Sequence, residues 1–419
     1  MTFLYILLAL VLFGILITLH ELGHFLVARL FKVTIHEFSV GFGPKLLSRV
    51  SKKTGTRYSL RAIPIGGYVS MLGEDEAPES RKYRDRTEEP DAGGETPALT
   101  DFSAGEPDEP DAASDVDDTG SRPAVTVGEE SSDTDQGEPT GASMDPGNYQ
   151  NKKVWQRALI SIAGPLTNLL LGFLCMLVVV ILTPRYASTV VADFTDEALS
   201  NQETVLEDGS RSDALQVGDR IVKIGNTSVH TGNEVAYEIM YNAYRPIDVT
   251  VVRDGTRVRL YNVVFPTFED EASGATFGDY DFYILEESKT FGSTVKHAFF
   301  QSVSTVKMVL DSLSGLFTGR FGLRSVSGPV GITKTIADAA STSFYNVLYL
   351  FTVITINLGV MNLLPIPALD GSKLLFLAIE GIRGKPVNKK VEGYIHLAGM
   401  ALLLLLMLLI TFKDIRSLF

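Results

Sequence analysis

The 419-residue sequence predicts a polytopic α-helical membrane protein with four transmembrane helices, a β-structured segment after the first, and an inserted soluble α+β module. Three observations carry that prediction. Four apolar runs, at residues 3–31, 155–183, 344–364 and 393–412, are each long enough to cross a bilayer. The stretch 185–287 reads as alternating strands, turns and one short helix. The formal charge of −13 is lopsided: residues 74–146 hold 23 Asp and Glu against 5 Lys and Arg, which leaves the rest at +5. Acidity therefore belongs to an insert. A single cysteine, Cys175, excludes an intrachain disulfide and a cysteine-built zinc site. No basic patch interleaved with aromatics points to nucleic acid.

Residues 1–31 form the first span. They lack the basic start and small-residue cleavage site of a signal peptide, and they contain Leu19-His20-Glu21-Leu22-Gly23-His24. His20 and His24 are four apart, so a helix stacks them on one face, where two imidazoles suit tetrahedral zinc. Glu21 stands beside the water such an ion acidifies, placed to take its proton and deliver it to a leaving group. Ionisable groups at membrane depth are costly and mark function.

Residues 32–73 read as strand, turn, strand about Thr54-Gly55. Either a small surface hairpin or one dipping toward the metal fits. Residues 74–150, rich in Asp, Glu, Gly, Pro, Ser and Thr, cannot bury enough surface to order themselves and are expected to be a disordered insert without catalytic duty. The second span, in 151–184, contains Ala163-Gly-Pro-Leu-Thr-Asn168. Asn168 there is either interhelical hydrogen-bond glue or a substrate contact. Residues 185–287 are the α+β module. Residues 288–342 begin as an amphipathic helix with Phe300, Val303, Val306, Leu310 and Leu313 on one stripe, followed by a loop, Ser327-Gly-Pro-Val-Gly-Ile332.

The third span, in 343–372, runs into Asn362-Leu-Leu-Pro-Ile-Pro-Ala-Leu-Asp-Gly371, where two prolines stop regular helix. Asp370 is the one carboxylate available as third ligand to a site that needs three protein ligands and an open position. Residues 373–419 hold a basic loop and the fourth span. The other histidines (His36, His230, His297, His396) show no ligand spacing. Lys and Arg cluster between spans one and two and between three and four. By the positive-inside rule those connections are cytoplasmic, and both termini and the 185–343 region lie outside.

In this order, His20-Glu-Leu-Gly-His24, Gly66-Gly-Tyr68, Ala163 to Asn168, Ser327 to Ile332 and Asn362 to Gly371 resemble the site-2 proteases, intramembrane zinc metalloproteases of the regulator-of-sigma-E type. The resemblance covers most of the chain outside the acidic insert. It implies one Zn2+ per chain held by His20, His24 and Asp370, with Glu21 as general base. It implies that residues 38–72 form a membrane-reentrant β-hairpin or sheet. The alternation, β-branched residues and small glycines of its Ile65–Met71 portion predict pairing with an unwound substrate there, with Gly66, Gly67, Tyr68 and Val69 as substrate-binding residues. Asn168 and Asn362 match positions associated with substrate handling, and residues 190–287 match a PDZ domain. The chain departs in carrying one PDZ-like module, without a clean Gly-Leu-Gly-Phe-type loop, and in the insert.

The expected function is an endopeptidase of the cytoplasmic membrane that cuts single-span proteins within the lipid bilayer, such as anti-sigma-factor stubs or signal-peptide remnants. The rival is a PDZ-containing docking scaffold that no longer cleaves, whose mark would be loss of Glu21 or a ligand. A zinc transporter is weaker, because the spans lack a line of further polar ligands.

Overall fold

In the computed structural model, the described residues are 2–74, 145–206, 211–270, 274–322 and 325–416. Nearly all of the acidic insert lies outside them. Four described helices are long and apolar enough to span a membrane: Leu7–Leu30, Val154–Leu182, Phe344–Leu363 and Lys389–Arg416. A helix satisfies its own backbone groups, which lipid cannot.

The first helix, α1 (Thr2–Leu30), ends where Lys32 takes a positive φ and Val33 N–H closes onto Ala28 O at 2.9 Å. Two long strands follow, β1 (Ile35–Val50) and β2 (Arg57–Met71). Each is bent, so the pairing is richer than a hairpin. The end of β1 pairs antiparallel with the start of β2, from Val50 with Arg57 to Leu47 with Leu60. The start of β1 pairs antiparallel with the end of β2, from Ile35 with Met71 to Val40 with Gly67. A further set, from Glu37 with Arg57 to Val40 with Leu60, advances in the same direction in both segments and lies between the other two. The result is four short segments side by side, with Gly66–Met71 at one edge. The bends need glycine. Gly41 and Gly66 have φ of 84° and 102°, and a Cβ on Gly66 would meet the Phe42 ring at 2.1 Å. The sheet runs back along α1, with Phe38 against Phe25 (ring centroids 5.2 Å apart).

After a 3₁₀ turn at Tyr149–Asn151, α2 (Val154–Leu182) packs on α1. Close approach rests on small residues: a Cβ on Gly23 would lie 2.5 Å from Ala163 O, and one on Gly172 2.4 Å from Ile356. The module comprises β3 (Tyr186–Phe194), β4 (Thr204–Val205), β5 (Arg211–Ser212), β6 (Arg220–Ile224), β7 (Thr227–Ser228), α3 (Gly232–Asn242), β8 (Ile247–Arg253), β9 (Thr256–Val263), β10 (Thr267–Asp270), β11 (Ala275–Gly278) and β12 (Phe282–Glu287). Its main sheet has the order β12-β3-β6-β8-β9, with β7 beside β6. Alternating residues such as Ile221, Val249, Val251 and Leu260 point inward against Val235 and Ile239 of α3. Thr231 and Glu234 cap that helix reciprocally.

Then come α4 (Phe291–Phe317), α5 (Pro329–Thr342), α6 (Phe344–Leu363), α7 (Asp370–Arg383) and α8 (Lys389–Arg416). The loop expected at 327–332 is instead the cap and first turn of α5. Pro329 lacks an N–H that the first helical position leaves unbonded anyway, and the buried Asp414 carboxylate of α8 accepts from Gly328 N and Gly331 N at 2.9 and 2.8 Å.

Candidate metal centre

The site is assembled from α1, α2 and the turn that opens α7. One helical turn apart on α1, His20 and His24 present their Nε2 atoms 3.2 Å from each other. Oδ2 of Asp370 lies 2.9 Å from Nε2 of His20 and 3.3 Å from that of His24. Tetrahedral zinc with bonds of about 2.0–2.1 Å holds its donors about 3.3 Å apart, so the three atoms already sit at the edges of such a shell. Both histidines are buried.

What surrounds the rings fits metal as well. Nδ1 of His24 donates to the Ile160 carbonyl at 2.7 Å, which leaves its Nε2 with a free lone pair. Behind His20, Asn168 is fully buried, its amide 3.2 Å from Nδ1. In that orientation Nδ2 faces the ring and Oδ1 has no partner. Turning the amide over pairs Oδ1 with the Nδ1–H that a ligating His20 must carry. Gly164 completes the cradle: a Cβ there would sit 2.2 Å from Nε2 of His24 and 2.7 Å from that of His20. Only glycine leaves the donors room.

Asp370 is aimed by its neighbours. Ala368, two residues earlier, has φ of 73°, and its N–H donates to Nδ1 of His396 on α8 at 3.2 Å. Lys373 of α7 bonds Glu74 at 2.9 Å, and Arg157 of α2 pairs with Glu380 of α7. These contacts tie the α7 turn to the end of β2 and to α2.

Glu21 has no hydrogen-bond partner among the described residues, and it faces the sheet: a Cβ on Gly67 would lie 3.5 Å from its Cγ. Gly66 and Gly67 are buried, and Val69 packs with Phe25 and Phe38. The Tyr68 side chain reaches the Arg61 guanidinium. Asn362 lies half-buried in the last turn of α6, eight residues before Asp370, and makes no hydrogen bond among the described residues. The structure thus brings His20, His24 and Asp370 together, sets Glu21 and Gly67 beside them, and leaves Asn362 apart in its contacts.

Sequence reasoning missed the Ile160 carbonyl, Gly164 as a spacer, His396, and an ion pair between Glu37 and Arg61 at 3.1 Å. Only His396 carried a usable signal, an ionisable side chain in an apolar run.

The profile of peptidase family M50 matches residues 8–406. Among similar relatives, the regulator of sigma-W protease RasP of Bacillus subtilis is 33% identical over 98% of this chain and 97% of its own length. The zinc metalloprotease RasP of Geobacillus kaustophilus is 32% identical over 98% and 97%. The probable protease eep of Enterococcus faecalis is 30% identical over 98% of each.

Proposed function

This chain belongs to peptidase family M50 and is a multi-pass membrane zinc metalloprotease, and from that premise we propose that it cuts single-span membrane proteins inside the bilayer, with His20, His24 and Asp370 holding the ion. The observation that carries this reading is the convergence of three donor atoms, all within 4.8 Å of one another, between helices apolar enough to span. Zinc bound there supplies a Lewis acid that acidifies water and polarises the scissile carbonyl. Glu21 takes the proton released and passes it to the departing amide nitrogen. Asn168 and the Ile160 carbonyl hold the two imidazoles in the ligating tautomer and orientation.

A peptide bond in a helical span is bonded within its own segment and must be unwound before it can be cut. In lipid each freed backbone group needs a new partner, at a cost of several kcal/mol if none is found. The edge segment Gly66–Met71 offers such partners beside Glu21, so the substrate adds as a strand there and Gly66, Gly67, Tyr68 and Val69 line it. Since the sheet runs back along α1 from Ile35 to the level of Glu21, it re-enters the membrane from the cytoplasmic side. Asn362 is assigned to the substrate path on its motif alone. The 185–287 module is a PDZ-like domain outside the cell that docks or filters substrates by size, with both termini on the same side. The substrate class is the membrane stub of an anti-sigma factor, in keeping with the name of the Bacillus subtilis relative, with signal-peptide remnants second.

The test is cleavage of a tagged single-span protein in proteoliposomes, with the cut located by product mass. A cut inside the span by the wild-type protein, absent in Glu21→Gln, is expected. Equal cleavage by Glu21→Gln, or a cut outside the span, would contradict the assignment.

A further inference from the structure

The sheet beside the metal centre is held from its far face by one side chain. Arg61 donates from Nε to Ser39 Oγ at 2.9 Å, from Nη1 to Gly43 O at 2.9 Å, and from Nη2 to Glu37 Oε1 at 3.1 Å and Tyr68 Oη at 2.5 Å. Its guanidinium carbon also lies 5.3 Å from the centre of the Tyr68 ring. Ser39 and Glu37 belong to the start of β1, Gly43 to its bend, and Tyr68 to the edge segment. One fork thus joins three neighbouring pieces of backbone. Glu37 balances it and also receives Lys45 at 3.8 Å.

Alternation decides what this clamp does. Along β2, Gly67 and Val69 face α1, and Tyr68 between them faces the opposite way, so Tyr68 is the handle by which the edge is held. Phe42 stacks on the same ring at 6.4 Å and covers Gly66. The ion pair is only partly buried, and for stiffness alone an apolar pair of similar size would serve as well. A planar fork fixes direction as well as distance, which an apolar contact does not.

We propose that Arg61, with Glu37 and through Tyr68, is a positioning residue that sets the Gly66–Met71 edge against Glu21, so that an added substrate strand presents its peptide bond to the metal centre. This rests on the strand-addition reading given above. Arg61 touches neither the metal donors nor Glu21, so its loss acts on how substrate is received.

The experiment compares Arg61→Lys, Arg61→Gln and Tyr68→Phe with Val69→Pro and Ser70→Pro in proteoliposomes, scoring KM as substrate mole fraction, kcat and bound zinc. Lys keeps the charge, guarding against misfolding from an unpaired Glu37, but loses the fork. Expected are a KM raised about tenfold in Arg61→Gln and by less in Arg61→Lys, kcat within about threefold, and one zinc retained throughout. Helix-breaking residues in the substrate should not restore KM in these variants, because unwinding is not what they lack. If a proline at position 69 or 70 slows cleavage but both Arg61 variants keep wild-type KM, the positioning role is wrong and strand addition stands. If neither proline has an effect, the strand-addition reading itself fails. Loss of zinc in Arg61→Lys would show a merely structural role and would also overturn the proposal.

Discussion

In the α+β module the fully buried aliphatics are Val191, Val235, Ile239, Val249, Val251 and Leu260, while the contacts among α1, α2 and α6 bring small and polar residues (Gly23, Gly164, Asn168, Gly172, Thr352 and Thr355) in beside aliphatics such as Leu169 and Ile356. Four large aliphatics of α2, Leu166, Leu170, Leu174 and Val178, spaced four apart, form an exposed stripe. Water drives the first arrangement, since burying apolar area is its main source of stability. Lipid tails are as apolar as leucine, so helices associate in a membrane through close packing and hydrogen bonds instead. Small residues let the membrane helices approach, and two of the polar contacts between them, Asn168 with His20 and His24 with the Ile160 carbonyl, hold the candidate metal donors themselves. The packing interface and the site are one structure, whereas in the module the core is remote from any chemistry.

That difference predicts unequal consequences for substitutions of similar size. The largest effect belongs to Gly164→Val, which places methyls where the Nε2 atoms of His20 and His24 converge. Zinc content should fall below about a tenth of wild type and cleavage by about a hundredfold or more, measured by metal analysis and by product yield. A smaller effect is expected from Ile239→Ala in the module core, which should cost about 2–5 kcal/mol of module stability, read by denaturant unfolding, while zinc content stays unchanged. Parallel loss of zinc there would show that the module core and the site are coupled. The smallest effect is assigned to removal of residues 78–146, whose composition cannot supply a core. Cleavage by that deletion should remain within about threefold of wild type, and complete loss in a folded protein would give the insert a role.

Legibility followed the same division. The spans, the i, i+4 histidines and the module's alternating strands were readable because each is a local period. Asp370 was readable only as the one carboxylate beside two proline-broken turns, and its convergence on His20 spans 350 positions. The sheet was read as a strand-turn-strand unit, yet bends at Gly41–Pro44 and Pro64–Gly66 divide it into four segments. Alternation marks a strand but does not say which neighbour it takes. The inward face of α2 was hidden because both faces are apolar, so hydropathy has no contrast to report. The Ile160 carbonyl was invisible in principle, since every residue carries one. Ser327 to Ile332 carries a helix-start signal, a proline directly after Gly328, and the glycines on either side of it are what give the stretch its loop-like look.

The central claim is that two α1 histidines and Asp370 hold the ion while Glu21 does not. X-ray absorption at the zinc edge, with metal stoichiometry, tests it most directly on wild type, Asp370→Ala and Glu21→Gln. One zinc per chain with two imidazoles and oxygen donors is predicted for the wild-type protein and for Glu21→Gln, with zinc lost or much reduced in Asp370→Ala. Wild-type zinc content and an unchanged spectrum in Asp370→Ala, or loss of the ion in Glu21→Gln, would contradict it.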